Sequence, residues 1–162
     1  MGKVTNSIKI RMAVSKDKSA ILSVIGSYRQ KWDRPIAKKY YDVFFSTPEC
    51  LKGDTVYVAV LHNKIVGVSG YFIDRYETDY YWLGWFYIHK DWARNRYGEQ
   101  LLKYVIEQLK KKKVKKLFVN TSSAPFYKGA LAFYKRNGFK REAVIKNYYW
   151  NGEHQIILSK KL

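Results

Sequence analysis

The sequence predicts one mixed α/β (α+β) domain spanning residues 1–162, with a central mixed sheet of about seven strands flanked by about four helices. Three observations lead there. The length of 162 residues is that of one domain. Short β-prone runs alternate with amphipathic helical stretches around a central pair of strands joined by a tight turn. No repeat, low-complexity linker or shift in composition divides the chain.

The elements follow in order. "IKIRMAV" (8–14) alternates apolar and polar residues and predicts a strand. Ser15 or Asp17 can cap a helix running to about Arg29, with Ile21, Leu22, Ile25 and Tyr28 on one face. Pro35 can open a second helix carrying Tyr40, Val43 and Phe44, which Pro48 stops. "TVYVAVLHNKIVGVSGYFID" (55–74) predicts two strands around His62-Asn63-Lys64, and "YYWLGWFYIH" (80–89) is a further β-prone run. From about Gly98, Leu101, Leu102, Val105, Ile106 and Leu109 form a helical stripe. "KLFVNT" (116–121) is a strand. "YKGALAFYKRNGF" (127–139) is a short helix ended at Asn137-Gly138. "EAVIKNYYW" and "HQIILSKKL" predict a closing pair of strands around Asn151-Gly152.

Composition narrows the function classes. The chain is 47% hydrophobic, enough for a substantial core. It contains no apolar run of membrane-spanning length and no signal-like segment, and "MGKVTN" has Asn6 where myristoylation needs Ser or Thr. The expected location is cytoplasmic, with no membrane partner. The single Cys50 has no partner for an intrachain disulfide and reads as a buried or spare thiol; no metal site is expected. Lys and Arg number 31 against 13 Asp and Glu, a formal charge of +18 that attracts polyanions. Much of it lies in "KKKKVKK" (110–116), which reads as a solvated helix end complementing the helix dipole.

The segment "ARNRYGEQLL" (93–102) carries the chemistry. A strand ends near His89, a turn follows, and a helix begins. The first turn of a helix presents unpaired N–H groups and the positive end of its dipole, a natural seat for phosphate. Gly98 lets the backbone approach a ligand closely, and Arg94 and Arg96 can add charge-assisted bonds. Glu99 would repel a phosphate unless it points away. Taken alone, this signal is weak, since many strand–turn–helix joints contain one glycine, and the segment also reads as a basic turn.

"WFYIHKDWARNRYGEQLL" resembles the acetyl-CoA-binding motif of the GCN5-related N-acetyltransferases (GNAT), in which a strand precedes an Arg/Gln-x-x-Gly-x-Gly/Ala loop. "ALAFYKRNGF" (130–139) resembles that family's downstream Tyr-containing helix, and the element order agrees over nearly the whole chain. The sequence also departs from the pattern. The opening Arg or Gln of the loop falls on Ala93 and its first glycine on Arg96. A frequent strand-end proline falls on Lys90, a cofactor-contacting Asn on Tyr127, and a Glu sometimes used as base at or near Ser122.

The resemblance implies acetyl-CoA as cosubstrate and a primary amine, on a small molecule or a protein, as acceptor. It implies that backbone groups of Phe86, Tyr87 and Ile88 pair with the pantetheine arm. The amides of Arg94, Asn95, Arg96, Tyr97, Gly98 and Glu99 face the pyrophosphate, and Tyr127 lies at the cofactor. Tyr134 matches the tyrosine near the cofactor sulfur and is expected to protonate the leaving thiolate. A homodimer is an assembly common among such relatives. Glu77, Asp79, Glu153, His154 and a water relay are the alternatives for the base. Trp32, Tyr80, Tyr81, Trp82 and Tyr149 either line an amine pocket or pack the strands. Two other functions compete: a non-catalytic acyl-CoA sensor, and a basic nucleic-acid-binding module. The lysines cluster at a helix end and the C-terminus and no RNA- or DNA-binding motif appears, which argues against the second.

Overall fold

The computed structural model describes residues 7–30, 32–74 and 80–162. These form seven strands, β1 (Lys9–Met12), β2 (Thr55–Leu61), β3 (Lys64–Ile73), β4 (Tyr81–Ile88), β5 (Lys116–Ser122), β6 (Lys140–Ile145) and β7 (Gln155–Lys161). The helices are α1 (Lys18–Ile25), α2 (Asp33–Ser46), α3 (Tyr97–Lys111) and α4 (Lys128–Arg136). The strands hydrogen-bond in the order β1-β2-β3-β4-β5-β7-β6, the mixed sheet the sequence predicts. The chain forms two compact units: residues up to Phe72 with Gly84–Gln108, and Ile73–Leu83 with Leu109–Leu162.

In the first unit the period of two along β2 sorts residues between two cores. Val56 and Val58 join Ile21, Val24 and Ile25 of α1 and Ala37 and Tyr41 of α2. Ala59 and Leu61 join Ile8, Val66, Ile88, and Tyr97 and Leu101 of α3. Helices therefore cover both faces of β2 and β3, and each fully buried aliphatic side chain contributes roughly 1.5–3 kcal/mol. The β2–β3 hairpin closes through His62 and Asn63 with φ of 47° and 62°, the left-handed pair a tight hairpin turn requires. Gly70 of β3 lies so close to β2 that a Cβ there would meet the Thr55 carbonyl oxygen at 1.9 Å.

α1 is shorter than predicted. Asp17 is 5% exposed; its carboxylate accepts the Val14 amide at 2.9 Å and two Arg11 N–H groups at 2.6 and 3.0 Å. This fixes the 3-10 turn Ser15–Asp17 that leads into α1. The helix stops at Gly26 rather than near Arg29, because Ser27 Oγ donates to Val24 O at 2.7 Å and draws the chain out of the helix.

In the second unit β5 pairs with β7 along its whole length, from Lys116 opposite Lys161 to Ser122 opposite Gln155. Leu117, Val119, Ile156 and Leu158 are buried, as are Tyr134 and Phe139. α4 ends at Asn137-Gly138 as predicted, with Gly138 at φ 83°. The closing pair of strands differs from the expectation. β6 starts at Lys140 and ends at Ile145, and residues 146–154 connect it to β7. Asn151-Gly152 does form a turn, closed by Tyr149 N–H to Glu153 O at 3.0 Å, but inside that longer connection. Cys50 is exposed, the spare rather than the buried thiol.

Candidate active site

The first unit holds the strand end and the loop. β4 contains a break in hand that sequence reasoning missed: Trp85 has φ 43° in mid-strand. A bulky residue there is strained, and such reversals re-aim a strand at functional sites. The tilted rings of Tyr40 and Tyr41 brace Trp85 at centroid distances of 6.2 and 6.4 Å. Past this point Phe86, Tyr87 and Ile88 complete the strand. The Tyr87 hydroxyl donates to Asp33 Oδ2, which also accepts Gln30 Nε2 at 3.1 Å. The Tyr28 hydroxyl donates to the Ile88 carbonyl at 2.7 Å, and Ser27 Oγ accepts the Lys90 amide at 3.1 Å. Burial raises the Tyr28 hydroxyl pKa, so it remains a donor. Ser27 and Tyr28 of the α1–α2 connection and Asp33 at the start of α2 thus hold the strand end. No local signal marks them, because their partners lie some 54 to 63 residues away in the sequence.

A 3-10 turn at Lys90–Trp92 leads into the loop, closed by the Trp92 amide to His89 O at 2.9 Å. Asn95 Nδ2 folds back onto the carbonyls of Trp92 and Ala93, both at 3.2 Å. Arg94 and Arg96 lie in the left-handed region, with φ of 66° and 62°. For residues with a Cβ this costs on the order of 1 kcal/mol each. Reversals of hand of this kind turn successive N–H groups inward and form anion-binding concavities. The α3 ladder opens with the Gln100 amide on Arg96 O at 3.2 Å, so Tyr97, Gly98 and Glu99 carry the unpaired amides of its first turn. Tyr97 is buried and anchors the helix start, whereas Arg94, Asn95 and Arg96 are exposed.

The two arginines differ. Arg96 Nε donates to Glu99 Oε2 at 3.0 Å, and among the described residues Arg94 has no acidic partner. The donor set is therefore a run of amides plus the free guanidinium of Arg94, chemistry that fits a diphosphate.

The second unit holds Tyr134 and Tyr127. Tyr134 is 6% exposed, its ring against Phe133 and Phe139 at 5.7 and 5.6 Å. Burial pushes its hydroxyl well above the ordinary tyrosine value, so it is protonated at neutral pH. Tyr127 is half-buried and precedes α4, closing a 3-10 turn at Pro125–Tyr127 rather than opening the helix. At the end of β5, Ser122 Oγ accepts the Ala124 amide at 3.0 Å and donates to Glu153 Oε2 at 3.3 Å. His154 Nδ1 accepts the Asn147 amide at 3.1 Å, which places the ring proton of the neutral form on Nε2. Glu77 and Asp79 lie outside the described residues. Of the predicted aromatic wall, Tyr80 and Trp82 pack on Phe118 at 5.8 and 5.2 Å, and Tyr149 lies against Tyr148 at 5.0 Å. Trp32, in the first unit, is 49% exposed. No described helix is long and apolar enough to cross a membrane, and no described cluster of His, Cys, Asp and Glu is arranged to hold a metal ion.

Comparison with solved structures shows the same fold. A protein from Desulfovibrio desulfuricans, described as an acetyltransferase of the GNAT family, superposes with a TM-score of 0.86 at 23% identity, over 96% of this chain and 99% of that one. The ribosomal-protein-S18-alanine N-acetyltransferase from Escherichia coli gives 0.77 at 19% identity, over 96% and 94%. A Bacillus anthracis protein described as a streptothricin acetyltransferase, solved in complex with acetyl coenzyme A, gives 0.61 at 18% identity, over 67% and 62%. No curated protein matches by sequence. The family model for the acetyltransferase (GNAT) family matches residues 21–139, which include the strand broken in hand at Trp85, the left-handed loop and the helix bearing Tyr134. The chain belongs to the GNAT acetyltransferase family, whose acyl donor is acetyl-CoA.

Proposed function

We propose that this chain transfers the acetyl group of acetyl-CoA to a primary amine by direct attack, without an acetylated enzyme intermediate. The observation that carries the reading is the left-handed pair Arg94 and Arg96 placed immediately before α3. In this reading the amides of residues 94–99 and the Arg94 guanidinium bind the pyrophosphate. Backbone groups of Phe86, Tyr87 and Ile88 align the pantetheine arm, and Tyr127 contacts the cofactor.

The thioester supplies an acyl carbon already activated toward nucleophiles. The amine must be neutral to attack. As its nitrogen bonds to the acyl carbon, the C–S bond breaks and the nitrogen gives up a proton to solvent or a relay. The departing thiolate takes the hydroxyl proton of Tyr134, which regains one from water. The buried, protonated state of Tyr134 supports this role. A charge of +18 disfavours free polyamines and favours an acidic or protein acceptor. A protein acceptor is also what the Escherichia coli neighbour is named for.

Thiol release from acetyl-CoA, followed against a panel of small amines and peptides, tests the reading. Release above background with at least one amine supports it. Cofactor binding with no release against any amine would instead indicate a non-catalytic acyl-CoA sensor.

A further inference from the structure

β6 is the last strand in the sheet order and, among the described residues, hydrogen-bonds only to β7, so its other edge carries N–H and C=O groups that no described strand pairs. All six of its residues, Lys140–Ile145, are exposed. Large apolar side chains concentrate on it and in the connection that follows: Val144 is 37% exposed, Ile145 43%, Tyr148 54% and Trp150 89%. Cations flank them. Lys140, Arg141 and Lys146 have no acidic partner among the described residues, while the one acid of the strand, Glu142, is held by Lys116 at 2.5 Å and Ser159 at 2.5 Å. That pairing keeps the Glu142 carboxyl below its ordinary value, and the edge stays net positive. The family match ends at Phe139, one residue before this strand.

We propose that β6 is a docking edge for an extended acidic segment of another protein, which adds to the sheet alongside it. A free strand edge offers donors and acceptors in alternation, which another strand satisfies and a phosphate backbone, with acceptors only, does not. The exposed apolar residues match side chains of such a segment, and the flanking cations match its carboxylates. A second copy of this chain brings the same positive charge and is repelled. The inference stands independently of acetyl transfer.

The test is fluorescence anisotropy of a labelled short peptide of alternating Glu and Val, titrated with the full chain. The peptide binds, and binding weakens as salt rises. Binding is lost when alternate peptide amides are N-methylated, which blocks strand pairing without changing charge. The double variant K140E/R141E, at exposed positions, binds roughly tenfold more weakly with its circular dichroism unchanged. W150A, in the solvated connection, also weakens binding and guards against a folding effect in the first variant. Equal binding of the N-methylated peptide overturns strand addition. No binding, or displacement by a single-stranded oligonucleotide at lower concentration than by unlabelled peptide, overturns the acidic-polypeptide partner. Sedimentation showing self-association that K140E/R141E abolishes makes the occupant a second copy, and likewise overturns it.

Discussion

Arg96 Nε lies 3.0 Å from Glu99 Oε2, joining the last residue before α3 to the third residue within it. The ion pair answers the difficulty that the sequence poses at Glu99. A carboxylate suits the first turn of a helix but repels phosphate. Here Arg96 draws it aside and neutralises it, while Arg94 keeps its charge for a ligand.

The arrangement separates the side chain of Arg96 from its backbone. R96G removes the ion pair, which at 84% exposure for Arg96 is worth well under about 1 kcal/mol, and relieves the left-handed strain. R96A removes the pair and keeps the strain. The expected order of melting temperature is Gly at or above wild type, with Ala below. Affinity for CoA falls for R96A, where Glu99 is released with no gain in backbone freedom. It falls more for R94A, which loses the free cation. Thermal unfolding and calorimetry check both orders; equal CoA affinity in R94A and wild type would remove Arg94 from the site.

Y134F keeps the packing against Phe133 and Phe139 and removes the hydroxyl proposed as the proton donor. Turnover is expected to fall about 100-fold or more with KM for acetyl-CoA little changed. An unchanged kcat would remove Tyr134 from the chemistry.

The same burial makes the protein sensitive to alkali. Tyr134 and Tyr41 both have pKa values raised above the ordinary tyrosine value of 10.0, chiefly by desolvation. The folded chain holds these protons more tightly than the unfolded chain. Their contribution is therefore intact below about pH 10 and is lost as the pH rises beyond it. Urea midpoints measured across that range fall for wild type and less steeply for Y134F; parallel slopes would mean that Tyr134 ionises equally in both states.

At acid pH the sign reverses. Hydrogen bonds from Arg11 hold the Asp17 carboxyl below its ordinary value of 3.8. Its stabilisation is present above that value and is lost as pH falls through the folded-state pKa. D17A removes the group that accepts the Val14 amide and two Arg11 N–H groups, and is expected to cost about 1–2 kcal/mol. Denaturant unfolding at neutral pH measures this, and a loss within error would mean that water replaces the carboxylate at both partners.

What was legible in the sequence is what short-range pattern encodes. The β2–β3 hairpin followed from alternation broken at His62-Asn63, and α3 from its apolar stripe. The loop before α3 was legible as a candidate, because Arg94, Arg96 and Gly98 stand together in the chain. Its left-handed backbone was not, since nothing in a run containing Arg96 announces a conformation that glycine adopts more readily. The break in β4 was hidden for a similar reason. Gly84 is the residue suited to it, yet the positive φ falls on Trp85. The bracing of the β4 end depends on Tyr28 reaching the Ile88 carbonyl and Ser27 reaching the Lys90 amide, contacts that no window of local sequence contains.

Whether residues 94–99 hold the pyrophosphate of acetyl-CoA is decided by calorimetric titration with acetyl-CoA beside S-acetylpantetheine, which lacks that group. Acetyl-CoA is expected to bind measurably, more weakly in R94A and with added salt, and S-acetylpantetheine is expected not to bind measurably. Equal binding of the two ligands, or no binding of either, would contradict it.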